Sequence, residues 1–275
     1  MRSGINAVLK NAGLVAEIIS IRTGDRLDQT ISSAIQQNPG TLVAAGGDGT
    51  VSAVAAQVAG TETNMGVLPL GTLNHFAKDL RIPLELEAAV HVLAARHVAA
   101  VDAAEVNGRV FINNSSLGIY PHIVARREKQ QERLGKWPAF LWAALLAFRR
   151  FPFLHLRVCV EGEELERKTA FLFVGNNEYE IAGFRIGARA RLDRGRLGLH
   201  LTHRTGRFGL LRLALRAILG GLRQAKDFET FSVENATIET RRRSVLVATD
   251  GEVTSMQPPL HYRSRPGALR VIVPK

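Results

Sequence analysis

The sequence predicts a chain in two parts: a parallel α/β sheet over residues 1–97, then a β-sandwich with helical insertions over 98–263, with the last segment, 264–275, returning to the first part. Three observations carry this. Up to residue 95, short apolar runs alternate with stretches of helical periodicity, the pattern of a parallel sheet with crossover helices. After His97 the texture changes to closely spaced strand candidates, as in a sandwich. The length of 275 residues exceeds the common domain size and leaves room for one large or two moderate cores.

In chain order, Ile5–Asn11 reads as the end of a helix stopped by Gly13, Val15–Ile21 as a strand, and Leu27–Gln36 as a helix ending before Asn38-Pro39-Gly40. Leu42–Ala45 is an apolar run that breaks into Gly46-Gly47-Asp48-Gly49 and opens a helix from Thr50 to Ala59. Met65–Leu68 is a second run; after it come Pro69-Leu70-Gly71-Thr72-Leu73-Asn74, a short helix over Asn74–Leu80 and another over Glu85–Ala95. Strand candidates follow at Ala99–Val106 and, past the hairpin pair Asn107-Gly108, at Val110–Ser116. Others lie at His155–Val160, Arg167–Val174, Leu197–Thr202, Phe228–Glu239, Val245–Thr249 and Leu269–Val273, the last expected back in the first sheet.

Two stretches interrupt the strands. Trp137–Phe148 is apolar and lies between Lys136 and Arg149-Arg150; it is too short to span a bilayer, and suits an acyl-chain pocket, a membrane interface, or a buried core or dimer helix. In Phe208–Lys226, the cations Arg212, Arg216, Arg223 and Lys226 fall within an arc of roughly 80° at helical spacing. Such a stripe reads as membrane-facing or as an ordinary solvated face.

Hydrophobic content of 46% against 22% charged places the chain among soluble globular proteins. A single cysteine, Cys159, rules out an internal disulfide and fits a reducing cytoplasm; its place between Val158 and Val160 suggests a buried strand position over a catalytic thiol. Met1–Leu14 has no signal-peptide character, and no run reaches the ~18 to 20 apolar residues of a membrane span. The net charge of +11 calls for an acidic partner. With no zinc-finger spacing and no aromatic-rich RNA-binding motif, nucleotide or an anionic membrane is favoured over nucleic acid.

The glycine turn at 46–50 is the centre of the functional reading. Strand, glycine turn and helix present backbone N–H groups to phosphate, because glycines admit positive φ and close approach and the helix N-terminus adds unpaired donors. The alternative is a tight turn with Asp48 as helix N-cap. Gly71, Thr72 and Asn74 repeat the arrangement at the next strand end, and Thr249-Asp250-Gly251-Glu252 ends a third strand with two carboxylates.

Gly-Gly-Asp-Gly-Thr, Pro-x-Gly-Thr-x-Asn and a late Asp-Gly-Glu, in this order, resemble the diacylglycerol kinase catalytic family, which includes bacterial lipid kinases and sphingosine kinases; the first motif is shared with NAD kinases and phosphofructokinases. The resemblance covers nearly the whole chain. It implies an NAD kinase-like α/β domain, a C-terminal β-sandwich, and transfer of the ATP γ-phosphate to a lipid hydroxyl. The ATP-binding set it implies is Thr23, Gly46, Gly47, Asp48, Gly49, Thr50, Val51, Ser52, Gly71, Thr72 and Asn74. Glu252 is the implied base, with Asp250 beside it; if the strand continued, the two would share a face, and the alternative is that Asp250-Gly251 is a two-residue hairpin turn. Asp48 is expected to hold Mg²⁺ or to orient the hydroxyl. Expected partners are ATP, a lipid substrate, an anionic membrane surface at the cytoplasmic face and a possible homodimer.

The sequence also departs from the family. The strand and Asn-Pro-x-Ser-Gly type loop with which members begin have no counterpart before Ile5, which leaves a truncated start or nucleotide binding without that loop. The Asn-Glu pair usual after the first motif is Ser52-Ala53. The Asp-Asp-Gly-x-Leu-Asp stretch that holds a structural Mg²⁺ in bacterial members reads Asp193-Arg194-Gly195-Arg196-Leu197-Gly198, so that ion is expected to be missing, with the guanidinium able to serve as a fixed charge. Asn176-Asn177-Glu178 resembles the ribose-holding Asn-Glu pair of NAD kinases and supports nicotinamide dinucleotide phosphorylation as the rival reading; a nucleotide- or membrane-binding homologue with weakened turnover is another.

Overall fold

The computed structural model describes residues 2–21, 27–118, 121, 153–182, 185–189, 191–202 and 228–275. The candidate stretches Trp137–Phe148 and Phe208–Lys226, with Arg212, Arg216, Arg223 and Lys226, lie outside them, as does Thr23.

Helix α1 (Arg2–Asn11) stops at Gly13, whose φ of 71° gives the left-handed turn a side chain resists, and α2 (Leu27–Gln36) packs on α3. Strand β1 (Thr41–Gly46) leads through α3 (Asp48–Val58) into β2 (Asn64–Pro69), which pairs with it in parallel from Thr41↔Asn64 to Gly46↔Pro69. Met65 to Pro69 are all buried, as a parallel strand covered on both faces requires. The short α4 (His75–Asp79) and α5 (Leu86–Ala95) follow.

Next come β3 (Val98–Val106), β4 (Arg109–Phe111), β5 (Asn114–Gly118), β6 (Leu154–Val160), β7 (Glu163–Thr169), β8 (Phe171–Asn176), β9 (Glu180–Ala182), β10 (Arg185–Ala188), β11 (Leu197–Thr202), β12 (Phe228–Val233), β13 (Asn235–Thr240), β14 (Val245–Thr249), β15 (Glu252–Met256) and β16 (Leu260–Ile272). One eight-stranded sheet runs β1-β2-β16-β13-β6-β7, with β3 on β16 and β4 on β3; a second runs β12-β11-β8-β5-β14-β15, antiparallel throughout. Strands β9 and β10 pair with each other.

Strand β16 joins the two halves. Its start pairs with β13, its end pairs in parallel with β2 at Arg270↔Asn64, and β3 runs antiparallel along it across a break in register between Arg265 and Leu269. The break is held by the buried carboxylate of Asp102, which accepts the N–H of Gly267 (2.8 Å, φ 59°) and of Gly195 (2.6 Å). One apolar core lies under α3 and α5 around β2; a second fills the space between the sheets.

Several expectations are corrected. The first sheet is mixed, not parallel, because β16 enters it antiparallel to β3. Residues 14–21 form no strand: among the described residues no strand pairs with them, and Val15 is fully exposed. Extended propensity makes a strand only where a partner offers free backbone groups. Three runs read as single strands are each two. Val110–Ser116 breaks where a carboxylate takes the amides of residues 112–114. Arg167–Val174 breaks at Ala170, where the Thr169 hydroxyl ties Phe171 as the chain changes sheets. Phe228–Glu239 breaks at Glu234, again between sheets. Strand β7, Glu-Glu-Leu-Glu-Arg-Lys-Thr, is too polar to have been read as one.

His200, on β11, is 1% exposed and its Nδ1 meets the Thr230 hydroxyl at 3.1 Å. Burial pushes its pKa down to about 4, against the weaker upward pull of Glu178. Below pH ~6.5 the unfolded chain takes up a proton that the folded chain refuses. Stability is therefore full above that pH and falls as pH drops toward 4, by about 3 kcal/mol if the whole shift is expressed. The melting temperature should drop between pH 7 and 4.5, and the drop should shrink in His200→Gln.

Candidate functional site

The two glycine turns lie against each other. A Cβ built on Gly71 would sit 2.4 Å from Gly47 Cα, and one on Gly46 would sit 2.6 Å from Thr50 Oγ1. Neither site has room for alanine. None of Gly46, Gly47 and Gly49 takes a positive φ, so the left-handed backbone expected of them is not used.

Asp48 opens α3, yet it does not cap that helix. Its Oδ2 accepts the Asn74 N–H (2.9 Å) and its Oδ1 the His75 N–H (2.7 Å), so it caps α4 from the neighbouring turn. Asn74 is left-handed (φ 52°), and its side chain closes the second turn: Oδ1 accepts the Gly71 N–H (3.1 Å) and Nδ2 donates to the Gly71 carbonyl (2.9 Å). Each Asp48 oxygen keeps a lone pair. One carboxylate beside two glycine turns fits Mg²⁺, which takes one or two carboxylates and completes its shell with other oxygens and water.

The first-turn N–H groups of Asp48, Gly49 and Thr50 have no acceptor within α3. Gly49 is exposed, with nothing within 4 Å of where its Cβ would be. Thr72 lies exposed on the rim, between Leu70 and Leu73. Val51 does not belong to the nucleotide set: its side chain is buried in the core and its N–H donates to the Gly47 carbonyl (3.1 Å).

Asp250 and Glu252 do not share a face. Asp250 (φ 48°) and Gly251 (φ 89°) form the tight turn between β14 and β15. The Asp250 carboxylate is turned inward and accepts the N–H groups of Ile112 (2.9 Å), Asn113 (2.8 Å) and Asn114 (3.0 Å). Burial raises its pKa; the three amides and the Ser52 hydroxyl on α3 oppose this. Its work is to hold residues 112–114, not to handle protons. Glu252 is exposed at the start of β15, in an ion pair with Arg109 (2.5 Å), which also reaches the Thr254 hydroxyl (2.9 Å).

Asp193 is gripped by Arg191 (2.8 and 2.7 Å), and those hydrogen bonds hold its pKa below the usual range. Arg194 lies 3.6 Å from Glu178 and does not occupy an interior cation site. No group of three His, Cys, Asp or Glu side chains suited to a metal occurs among the described residues. Asn176 and Asn177 are fully buried; Asn176 Nδ2 ties the Asp102 and Ile112 carbonyls together. Glu178, the acid of the Asn-Glu pair, is exposed and accepts the Ser232 hydroxyl (2.7 Å). Arg109, Asp79 and Arg189, all placed by the fold near these elements, carry no local motif; the side chains that hold them lie 110 to 143 positions away in the sequence.

Two family descriptions match the chain: the diacylglycerol kinase catalytic domain over residues 2–106, and the YegS C-terminal NAD kinase beta sandwich-like domain over residues 117–273. With the clasped glycine turns and the two-part fold, these place the chain in the diacylglycerol kinase catalytic family. Within that family it belongs to the YegS-like branch. A relative in Pseudomonas savastanoi pv. phaseolicola, named probable lipid kinase YegS-like, is 27% identical over 243 residues, 85% of this chain and 75% of that one. A Staphylococcus saprophyticus protein named diacylglycerol kinase is 27% identical over 177 residues, 63% and 57% of the two chains. The crystal structure of a diacylglycerol kinase from Bacillus anthracis has the same fold, with a TM-score of 0.70 at 20% identity over 99% of this chain and 91% of that one.

Paired glycine variants separate packing from ligand contact. Gly71→Ala should lower the melting temperature and abolish nucleotide binding, because the turns must part. Gly49→Ala should keep or raise stability, since alanine in a helix is favoured by about 1 kcal/mol, and still weaken nucleotide affinity by calorimetry.

Proposed function

We propose that the chain is an ATP-dependent lipid kinase, with a diacylglycerol-like or sphingoid alcohol as acceptor. Gly49 carries the reading. A glycine with ordinary helical φ is a poor choice in a first helical turn, and nothing in the folded chain needs the space above it. A phosphate lying on the N–H groups of Asp48, Gly49 and Thr50 does need it.

Phosphoryl transfer asks the protein for position and charge more than for covalent chemistry. Gly46, Gly47 and Thr50 hold the phosphate end, and Gly71, Thr72 and Asn74 form the opposite wall. Bound at Asp48, Mg²⁺ would supply charge neutralisation for the phosphates. Glu252 accepts the proton of the lipid hydroxyl as its oxygen attacks phosphorus, and Arg109 fixes that carboxylate until substrate displaces it. The lipid acceptor is supported by the family; phosphate transfer from labelled ATP to a panel of lipid extracts, with NAD included, tests the choice directly.

Such an enzyme meets its substrate at a membrane. Among the described residues no helix is long and apolar enough to cross one, and the reading is of peripheral attachment at the cytoplasmic face through Arg212, Arg216, Arg223 and Lys226. Each cation near an acidic surface contributes on the order of 1 kcal/mol, so sedimentation with acidic vesicles should be lost at high salt or when all four are neutralised; equal binding to neutral vesicles would refute it.

Glu252→Gln should lower kcat by ~10²- to 10⁴-fold and leave ATP affinity within a few-fold, because the amide keeps shape but cannot take the proton. Wild-type turnover in the folded variant would remove Glu252 from the mechanism.

A further inference from the structure

Arg189 is 5% exposed, and each nitrogen of its guanidinium donates to oxygen. Nε donates to Asp79 Oδ2 (2.8 Å), Nη1 to the carbonyls of Ile112 (2.6 Å) and Asn176 (3.1 Å), and Nη2 to Asn113 Oδ1 (2.9 Å), with the Asp79 carboxylate also 2.7 Å from Nη2 as an ion pair. The Tyr179 ring covers one face at 5.2 Å, and its hydroxyl donates to the Asn113 carbonyl (3.0 Å). A carboxylate, two carbonyls and an amide oxygen around one enclosed point make the donor set a hard cation takes. Here the cation is part of the chain.

Its two sides belong to the two halves of the site. Asp79 is the last residue of α4, where a negative charge opposes the helix dipole and needs a partner. The first turn of α4 is held by Asp48. On the other side, Ile112 and Asn113 are the residues whose N–H groups Asp250 clasps, next to Ser52 on α3. The contacts therefore form a chain: Asp48 to α4, Asp79 to Arg189, and Arg189 through residues 112–113 to Asp250.

We propose that Arg189 is a positioning residue, a tethered internal cation that fixes α4 and the Asp48–Asn74 turn at a set distance from the Asp250 hairpin on which Glu252 is mounted. Lysine would not replace it, because a single ammonium carries three donors and cannot make four hydrogen bonds spread around a plane. The kinetic consequence rests on the kinase reading; the lock itself does not.

The test uses the full chain. Arg189→Ala leaves an oxygen-lined space shaped for guanidinium. Its kcat should fall about 10- to 100-fold, as for small misplacements of reacting groups, while ATP affinity, set by the glycine turns, holds. Guanidinium ion well below denaturing concentration should restore kcat, and ammonium should not. Wild-type kcat in the folded variant, or guanidinium that recovers the melting temperature without kcat, would overturn the proposal. Should Arg189→Ala not fold, Asp79→Asn keeps the shape and removes the charge: amide exchange should then quicken together in residues 74–80 and 112–114, and unchanged exchange in either would overturn it. A wild-type chain that phosphorylates no lipid refutes the kinase reading alone, since the exchange measurement still decides the lock.

Discussion

The site depends on one carboxylate with two amides. Asp48 sits at the first position of one helix and satisfies the first N–H groups of another, so two strand ends that would otherwise only be neighbours are tied together. Everything on that side follows. Gly71 must be glycine because the tie draws its backbone onto Gly47, and Asn74 goes left-handed to present its N–H to the same carboxylate while its side chain closes the turn behind it. A role for the acid in holding metal is compatible with this, since a carboxylate that accepts one N–H on each oxygen retains a free lone pair on each.

The hairpin between β14 and β15 uses the same device. Asp250 spends its carboxylate on three consecutive amides, which is why the chain between β4 and β5 leaves the ladder for two residues and why the hairpin beyond it is held rigidly. Burying that charge is costly unless it is fully hydrogen-bonded, and here it is. The neighbouring Glu252 stays in solvent on an arginine, free to change partners. Two acids separated by one glycine thus have opposite conditions, one enclosed and one exposed.

Much of this was legible in the sequence, and the illegible part has a physical pattern. The glycine turns, the Asn107-Gly108 hairpin, and strands β11 and β14 are local: their signals lie within a few residues, and β11 and β14 fall at Leu197–Thr202 and Val245–Thr249 as read. What failed was non-local. Val15–Ile21 has the residues of a strand and no partner; the single runs that became two strands break where the chain changes sheets or where a distant carboxylate takes the amides. Asp48 and Asp250 were recognised as important for their motifs, but their bonding partners stand 26 and 136 or more positions away. The motif gave the residue, and only the fold gave its work.

Strand β16 has a consequence for how the molecule is made. Its final residues complete the sheet that begins at β1, and Arg270 bonds to Asn64 across 206 positions. Until they arrive, β1 and β2 are a two-stranded ribbon with one side open, which is marginal in water. The N-terminal half, though synthesised first, is therefore the half that must wait for β16; folding of the whole is a late closure dominated by distant contacts, slow by its topology and unsuited to being divided into separately expressed halves.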